Sequence, residues 1–497
     1  MMRQFVEDAK KMISIRSVTA DGNEDIANFV AGLMRASGMK VQLQQVAHSL
    51  DGFSKRQFNV IGIFGDTLVD RKTRKGLLFN THLDTVGPGL GENWTETGGN
   101  AFAATIKDGK IFGLGSADVK LDFLCKLRAI ERFRERKLKA PIYLVGTCGE
   151  EVGMFGARYL IKSGALNPKY VVVGEPSELR VVYAHKCYNI FRVSIGYNRM
   201  TRDARGFNRQ VVLEAFGKSA HGSYPDMGVN GILRLIELIK SAQDAGFDLR
   251  LVSLTGGDSV NKVPDRARAQ FFLTSHQLED FKGYFAEYRE KLGLQDAFRA
   301  DMGGLGESGI QFLPDVLFPA LCDVVALFGG VAEDLAQKRD ETYNPATSTV
   351  NFGQLLERPG AVDLLFDIRL LPELPPAEIE QRIKSAVQQL SVHYPGLNIA
   401  VTRERMNPGL NMTLEHDLMK VCRAAMEESG IHPAGQGFDK KATSTEAAQY
   451  FQAGYEAIVF GPGRSHGNSH SPNEFNTIDQ LEKAVLFYEK IIEKTCL

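Results

Sequence analysis

Between residues 76 and 175, short apolar runs stop abruptly at ionisable side chains. Leu77-Leu78-Phe79 leads into His82 and Asp84, the run 141–147 into Glu150-Glu151, and the run 170–174 into Glu175. Runs without polar alternation suit strands buried on both faces, as in a parallel sheet between two helical layers. The segments between them have helical spacing. Residues 121–137 align Leu124, Leu127 and Ile130, and residues 154–164 read as a helix closed by Gly164. The first 45 residues read as helical, with Ile26, Phe29, Val30, Leu33 and Met34 on one stripe and Gly38 as a cap. Strand and helix alternate, so the expected class is α/β with a largely parallel, twisted sheet.

Near residue 184 the pattern changes. Segments such as 209–217 and 268–275 alternate apolar and polar residues, as strands with one solvated face do. Two strand-turn-strand segments begin at 252 and 350 and suggest an internal duplication. After about residue 405 the first pattern returns, ending in a helix that starts with the capping pair Thr477 and Gln480. The expected organisation is an α/β domain, 1–183 and 405–497, interrupted by an α+β domain, 184–404.

Composition narrows the partners. The chain of 497 residues carries a net charge of −1, with 43% hydrophobic and 24% charged residues. Neither a basic excess for nucleic acid nor an apolar run approaching the roughly 18 residues of a membrane span is present. Charges interrupt the N-terminal apolar residues, unlike the core of a secretory signal. The six cysteines are scattered without a C-x-x-C pair. A reducing, cytoplasmic location is expected.

In α/β sheets, sites form beyond the carboxyl ends of the strands. Asp118 follows another apolar segment, 110–117, at the start of a helix. The steps are 36 residues from His82 to Asp118, 33 to Glu151 and 24 to Glu175, each near one strand-helix-strand unit. Alone, each residue has an ordinary explanation, such as a helix cap for Asp118. Together they put several carboxylates and an imidazole on one rim, where the acids repel unless protons or a cation neutralise them. His with carboxylates suits a divalent metal, most simply zinc, and two bridged metals are a recurring hydrolytic design. A further imidazole, His466 or His470, lies in 461–475.

The segments THLDTV, DGKIFGLGSADVK, GTCGEEVG, VVVGEPSE, GKSAHGSYPDMGVN, GGDSVNKVPD, FDIR and FGPGRSHGNSHSPNE follow one another in the order of a known family. The chain resembles the co-catalytic zinc aminoacylase/carboxypeptidase family, which includes acetylornithine deacetylase, succinyl-diaminopimelate desuccinylase, carboxypeptidase G and cytosolic dipeptidases. The resemblance implies a zinc-exopeptidase-like sheet with an inserted lid, and two zinc ions, with cobalt or manganese as substitutes. By that resemblance His82 and Glu175 hold one zinc, Glu151 and His470 the other, and Asp118 bridges both. Asp84 would orient His82, and Glu150 would be the general base. His221 would donate to the developing oxyanion. Asn261 and Arg369 would bind the substrate carboxylate.

The implied reaction is cleavage of an amide in a small carboxylate-bearing substrate, an N-acyl amino acid or a dipeptide. Glu175 favours a deacylase over the dipeptidases, which more often carry Asp there. The long lid favours a dipeptidase, and its duplication a monomer instead of a homodimer joined through the lid. Glu446 stands where relatives often have Asp. A non-catalytic metal- or peptide-binding module is the alternative of another class.

Overall fold

The computed structural model describes residues 2–47, 55–65, 74–198, 206–305, 311–432 and 436–497. The chain divides into two compact units, Met1–His185 with Asn407–Leu497, and Lys186–Met406.

In the first unit, nine strands among the described residues form one sheet. Its centre is the parallel set Ile142–Thr147, Leu77–His82, Tyr170–Gly174 and Glu456–Val459. These are the apolar runs of the sequence, and alternate residues of one run face opposite layers. Leu77 and Phe79 pack with the helices Glu24–Ala36, Lys120–Glu131 and Ile478–Cys496, while Leu78 packs with Phe155–Ser163 and Ala447–Gln452. A buried side chain of this size contributes about 1.5–3 kcal/mol.

The flanks pair antiparallel, except Phe438–Lys441, which runs parallel to Val181–His185. One flanking strand corrects the sequence expectation of helix through residue 45. Lys40–Val46 is a strand paired with Gln57–Phe64. Val41 and Leu43 alternate with polar residues, a period of two that prevails once a partner strand is present.

Helix ends follow local chemistry. Gly164 closes Phe155–Ser163 at φ +61°. Thr477 Oγ1 accepts from Gln480 N, but the Gln480 side chain accepts from Gly463 N instead of completing the reciprocal box.

The second unit holds an eight-stranded sheet. One half runs Phe207–Phe216, helix Gly231–Asp244, Arg250–Gly256, Arg266–Thr274, helix Ser275–Lys291, Phe298–Leu305. The other runs Cys187–Gly196, helix Leu317–Ala336, Thr349–Arg358, Ala361–Leu370, helix Pro376–Ser391, Asn398–Asn407. Each half has the order strand-helix-strand-strand-helix-strand. In space its strands lie fourth, first, third, second. The second strands of the halves meet at Gly256 and Leu355.

No described helix is long and apolar enough to cross a membrane. All six cysteines are free, five of them buried.

Candidate metal centre

In the parallel block, His82 pairs in register with Thr147, and Thr81 with Gly174. The chain leaves Thr147 for Glu150-Glu151 and Gly174 for Glu175, so these side chains emerge on the rim where His82 ends its strand. Asp118 arrives by another route. The strand Lys110–Phe112 belongs to a separate three-stranded sheet, and Asp118 lies in the turn before helix Lys120–Glu131. That corrects the expectation of a fourth rim strand at this point.

His470 comes from a loop stapled by Asn468, whose side chain donates to Arg464 O and Phe475 O and accepts from Phe475 N. His470 itself has φ +57°, in the left-handed region.

Asp118 sits between the two imidazoles. Its Oδ1 is 3.1 Å from His82 Nε2, and its Oδ2 is 3.3 Å from His470 Nε2. His470 Nε2 also lies 3.2 Å from Glu151 Oε1. Potential ligand atoms gather within 4.8 Å in three sets: His82, Asp118 and Glu175; Asp118, Glu151 and His470; and His82, Glu150 and Glu151. The first two share Asp118 alone. His466 is exposed and joins none of these sets.

The donors fit divalent cations. His82 Nδ1–H donates to the Asp84 carbonyl at 3.0 Å, which directs Nε2 toward Asp118. Burial disfavours a charged His82, but the Asp118 hydrogen bond and the charges of Glu150 and Asp84 outweigh it and raise its pKa well above the imidazole norm. His470 is pushed up to about 12, chiefly by the Glu151 charge. The two buried glutamates shift upward as well. Burial, then Asp118, lifts Glu175 to about 8, and burial with Glu175 lifts Glu150 well above the carboxylate range. Each nitrogen-carboxylate gap is one that a proton or a metal ion can bridge, and imidazole with carboxylate is a zinc donor set.

Asp84 meets His82 through its backbone carbonyl and has a further task beside it. Its carboxylate stands 3.7 Å from His82 Nδ1, and the closer contact is with the backbone carbonyl. Its oxygens accept from Thr19 Oγ1 at 2.8 Å, Glu150 N at 3.2 Å and Glu151 N at 3.4 Å. Asp84 therefore ties down the turn that presents both glutamates.

Glu474 closes the segment FGPGRSHGNSHSPNE, whose sequence alone implies no role for it. It is buried, and its Oε1 accepts from Ala117 N at 2.8 Å and Asp118 N at 2.9 Å. Its position four residues after His470 is the only sequence signal, and the contact with Asp118 spans 356 residues. Glu474→Ala would orphan both buried N–H groups and free the turn under Asp118. Affinity for a divalent metal ion should fall by about 10–100-fold, read by competition with a chromophoric chelator.

Within the second unit, three more residues gather. Gly222 N donates to Asn261 O at 2.7 Å, and Val263 N to Ala220 O at 2.8 Å. A Cβ on Gly222 would lie 2.6 Å from Asp367 Oδ2. The segments carrying His221 and Asn261 thus meet the strand carrying Arg369. Ser223 N and Ser223 Oγ both donate to His221 Nδ1, at 3.1 and 2.6 Å, which puts the proton of the neutral ring on Nε2. The Asn261 side-chain oxygen accepts from Ser259 Oγ. Arg369 is buried, its Nε and Nη2 donating to Asp367 at 2.7 and 3.0 Å, and it stacks 3.6 Å from the Tyr188 ring centroid. The fork expected to grip a substrate carboxylate is occupied by Asp367.

Comparisons with known proteins agree with this architecture. An acetylornithine deacetylase of Photorhabdus laumondii is 28% identical over 285 residues, 52% of this chain and 64% of that protein. The match thus spans less than two thirds of the relative's length. The fold matches the aminoacylhistidine dipeptidase of Vibrio alginolyticus with a TM-score of 0.67 at 17% identity, over 99% of this chain and 96% of that one. Human carnosine dipeptidase 1 matches with a TM-score of 0.58 at 15% identity, over 99% and 97% of the two chains. The model of peptidase family M20/M25/M40 matches residues 78–494, a span that contains every residue gathered above except Thr19. The chain belongs to peptidase family M20/M25/M40.

Proposed function

We propose that this chain hydrolyses the amide bond of a small carboxylate-bearing substrate, an N-acyl amino acid in the first instance, with two zinc ions held by the rim residues. The unit Met1–His185 with Asn407–Leu497 would carry the chemistry, and Lys186–Met406 would serve as the lid. The observation that carries this reading is Asp118, with one carboxylate oxygen against His82 and the other against His470. That geometry suits a bridging ligand between two cations. His82 and Glu175 would complete one position, Glu151 and His470 the other. Cobalt or manganese suits the same oxygen and nitrogen donors. When bound, such ions supply a Lewis acid for the carbonyl oxygen and lower the pKa of the attacking water.

The chain's own residues would do the rest. Glu150 is held beside His82 and Glu151 by the Asp84 hydrogen bond to its backbone. Burial raises its affinity for a proton, which suits a base that takes one from water and passes it to the leaving nitrogen. His221, protonated on Nε2, would donate to the oxygen that becomes negative. Asn261 would assist in holding the substrate carboxylate. Arg369 could do so only by sharing or exchanging Asp367.

An acetylornithine deacetylase among the relatives supports the N-acyl reading, as does Glu175. The duplicated eight-stranded unit favours a dipeptide instead. Hydrolysis of an N-acetyl amino acid panel and a dipeptide panel by the zinc-loaded protein separates them. The N-acetyl panel is expected to be turned over faster. Faster dipeptide cleavage would reverse the choice of substrate, and no cleavage of either despite full zinc loading would leave a binding module.

A further inference from the structure

Beneath the strand end that carries His82 lies a carboxylate with no part in the reaction above. Glu446 stands at the start of helix Ala447–Gln452 and is fully buried. Its Oε2 accepts from Asn80 Nδ2 and, at 2.8 Å, from Thr147 Oγ1. Asn80 is fixed in turn by Tyr450, whose hydroxyl donates to Asn80 Oδ1 at 2.9 Å. The other oxygen, Oε1, is buried without a hydrogen-bond partner.

Two relations place this group under the metal centre. Asn80 lies two residues before His82 in the same strand, so the two side chains share a face of the sheet. Thr147 is the register partner of His82 in the neighbouring strand. Glu446 is thus tethered to the residues that flank His82 along and across the sheet.

A buried carboxylate with one unpaired oxygen is costly unless a positive charge stands near. Burial pushes the Glu446 carboxyl up to about 7, against the pull of His82 and with the push of Asp84. Its hydrogen bonds come from an amide and a hydroxyl, which orient a carboxylate without neutralising it. The compensation the fold offers is the charge gathered at His82.

We propose that Glu446 is a positioning residue whose buried charge is compensated most fully when a divalent cation is bound at His82. It therefore tightens metal binding at the expense of the metal-free protein. This rests on the rim being a metal centre, and it assigns Glu446 no contact with substrate.

Two readouts test it: zinc affinity by chelator competition, and the unfolding temperature of the metal-stripped protein, each for wild type, Glu446→Gln and Glu446→Asp. The amide in Glu446→Gln keeps an acceptor for Asn80 and Thr147 and removes the charge. Its zinc affinity should fall by about tenfold or more, with no drop in the unfolding temperature of the stripped protein. Glu446→Asp keeps the charge and should retain most of the affinity. A residue that only fills space would lower the stripped protein's unfolding temperature and leave zinc affinity unchanged. That pattern, or Glu446→Gln with wild-type affinity, overturns the proposal. Wild-type protein that takes up no zinc overturns the metal centre, and the proposal with it.

Discussion

Glu150→Gln should reduce turnover by about 10²–10⁴-fold while the metal content of the protein stays at the wild-type level. The substitution keeps the size of the side chain and leaves the backbone N–H in its hydrogen bond to Asp84. His82, Asp118, Glu151, Glu175 and His470 all remain. What disappears is the carboxylate to which the proposed reaction gives the proton transfer. Steady-state rates beside metal content by elemental analysis check the claim. Turnover close to wild type would show that another base does this work. Loss of zinc together with rate would show that Glu150 is a ligand, as its place in a set with His82 and Glu151 allows.

Lys126→Met should destabilise the folded protein by about 3–5 kcal/mol. Lys126 and Asp122 are fully buried, with Nζ 2.7 Å from Asp122 Oδ2. Nζ also donates to Asn80 O and Thr81 Oγ1, at 2.7 and 2.9 Å. Thr81 and Tyr488 complete the shell of Asp122. A Cβ on Gly174 would lie 1.9 Å from Asp122 Oδ2, so the neighbouring strand closes directly over the carboxylate. Methionine fills the space of Lys126 but leaves that carboxylate buried without its counter-charge. Denaturant unfolding should show the midpoint shift, and Asp122→Asn combined with Lys126→Met should recover part of the loss. An unchanged midpoint would mean that water reaches this pair.

Much of the rim was legible because its physics is local. A strand buried on both faces must be continuously apolar, so its end is visible where ionisable residues begin. His82, Glu150, Glu151 and Glu175 stand at such ends. Asp118 was legible as a residue but not in its route, because the apolar segment before it resembles the sheet strands and pairs elsewhere. Lys40–Val46 was misread as helix because its alternation is short and its partner strand begins eleven residues after it ends. Helical spacing and half-buried strand spacing overlap over so few residues.

The roles of Asp84, Glu446, Glu474 and Arg369 could not be read this way. Each depends on a hydrogen bond whose geometry composition and spacing do not encode. Asp84 reaches 66 residues forward to the glutamate turn, and Glu446 reaches 366 residues back to Asn80. Even the pairing of the Arg369 fork with Asp367, only two residues away, is not written in the sequence, because strand side chains two apart share a face without necessarily bonding.

The amino-acid order by itself determined the alternation of buried strands and covering helices, and with it which acids and imidazoles end on one rim. Hydrophobic burial and backbone pairing act over a few residues, so their pattern is written in the chain. Only the tertiary structure decided which oxygen faces which nitrogen, which carboxylate is left half-paired, and which fork is already filled. Those outcomes depend on ångström-scale approach between side chains from two to 366 residues apart, where charge and desolvation, not periodicity, select the partner.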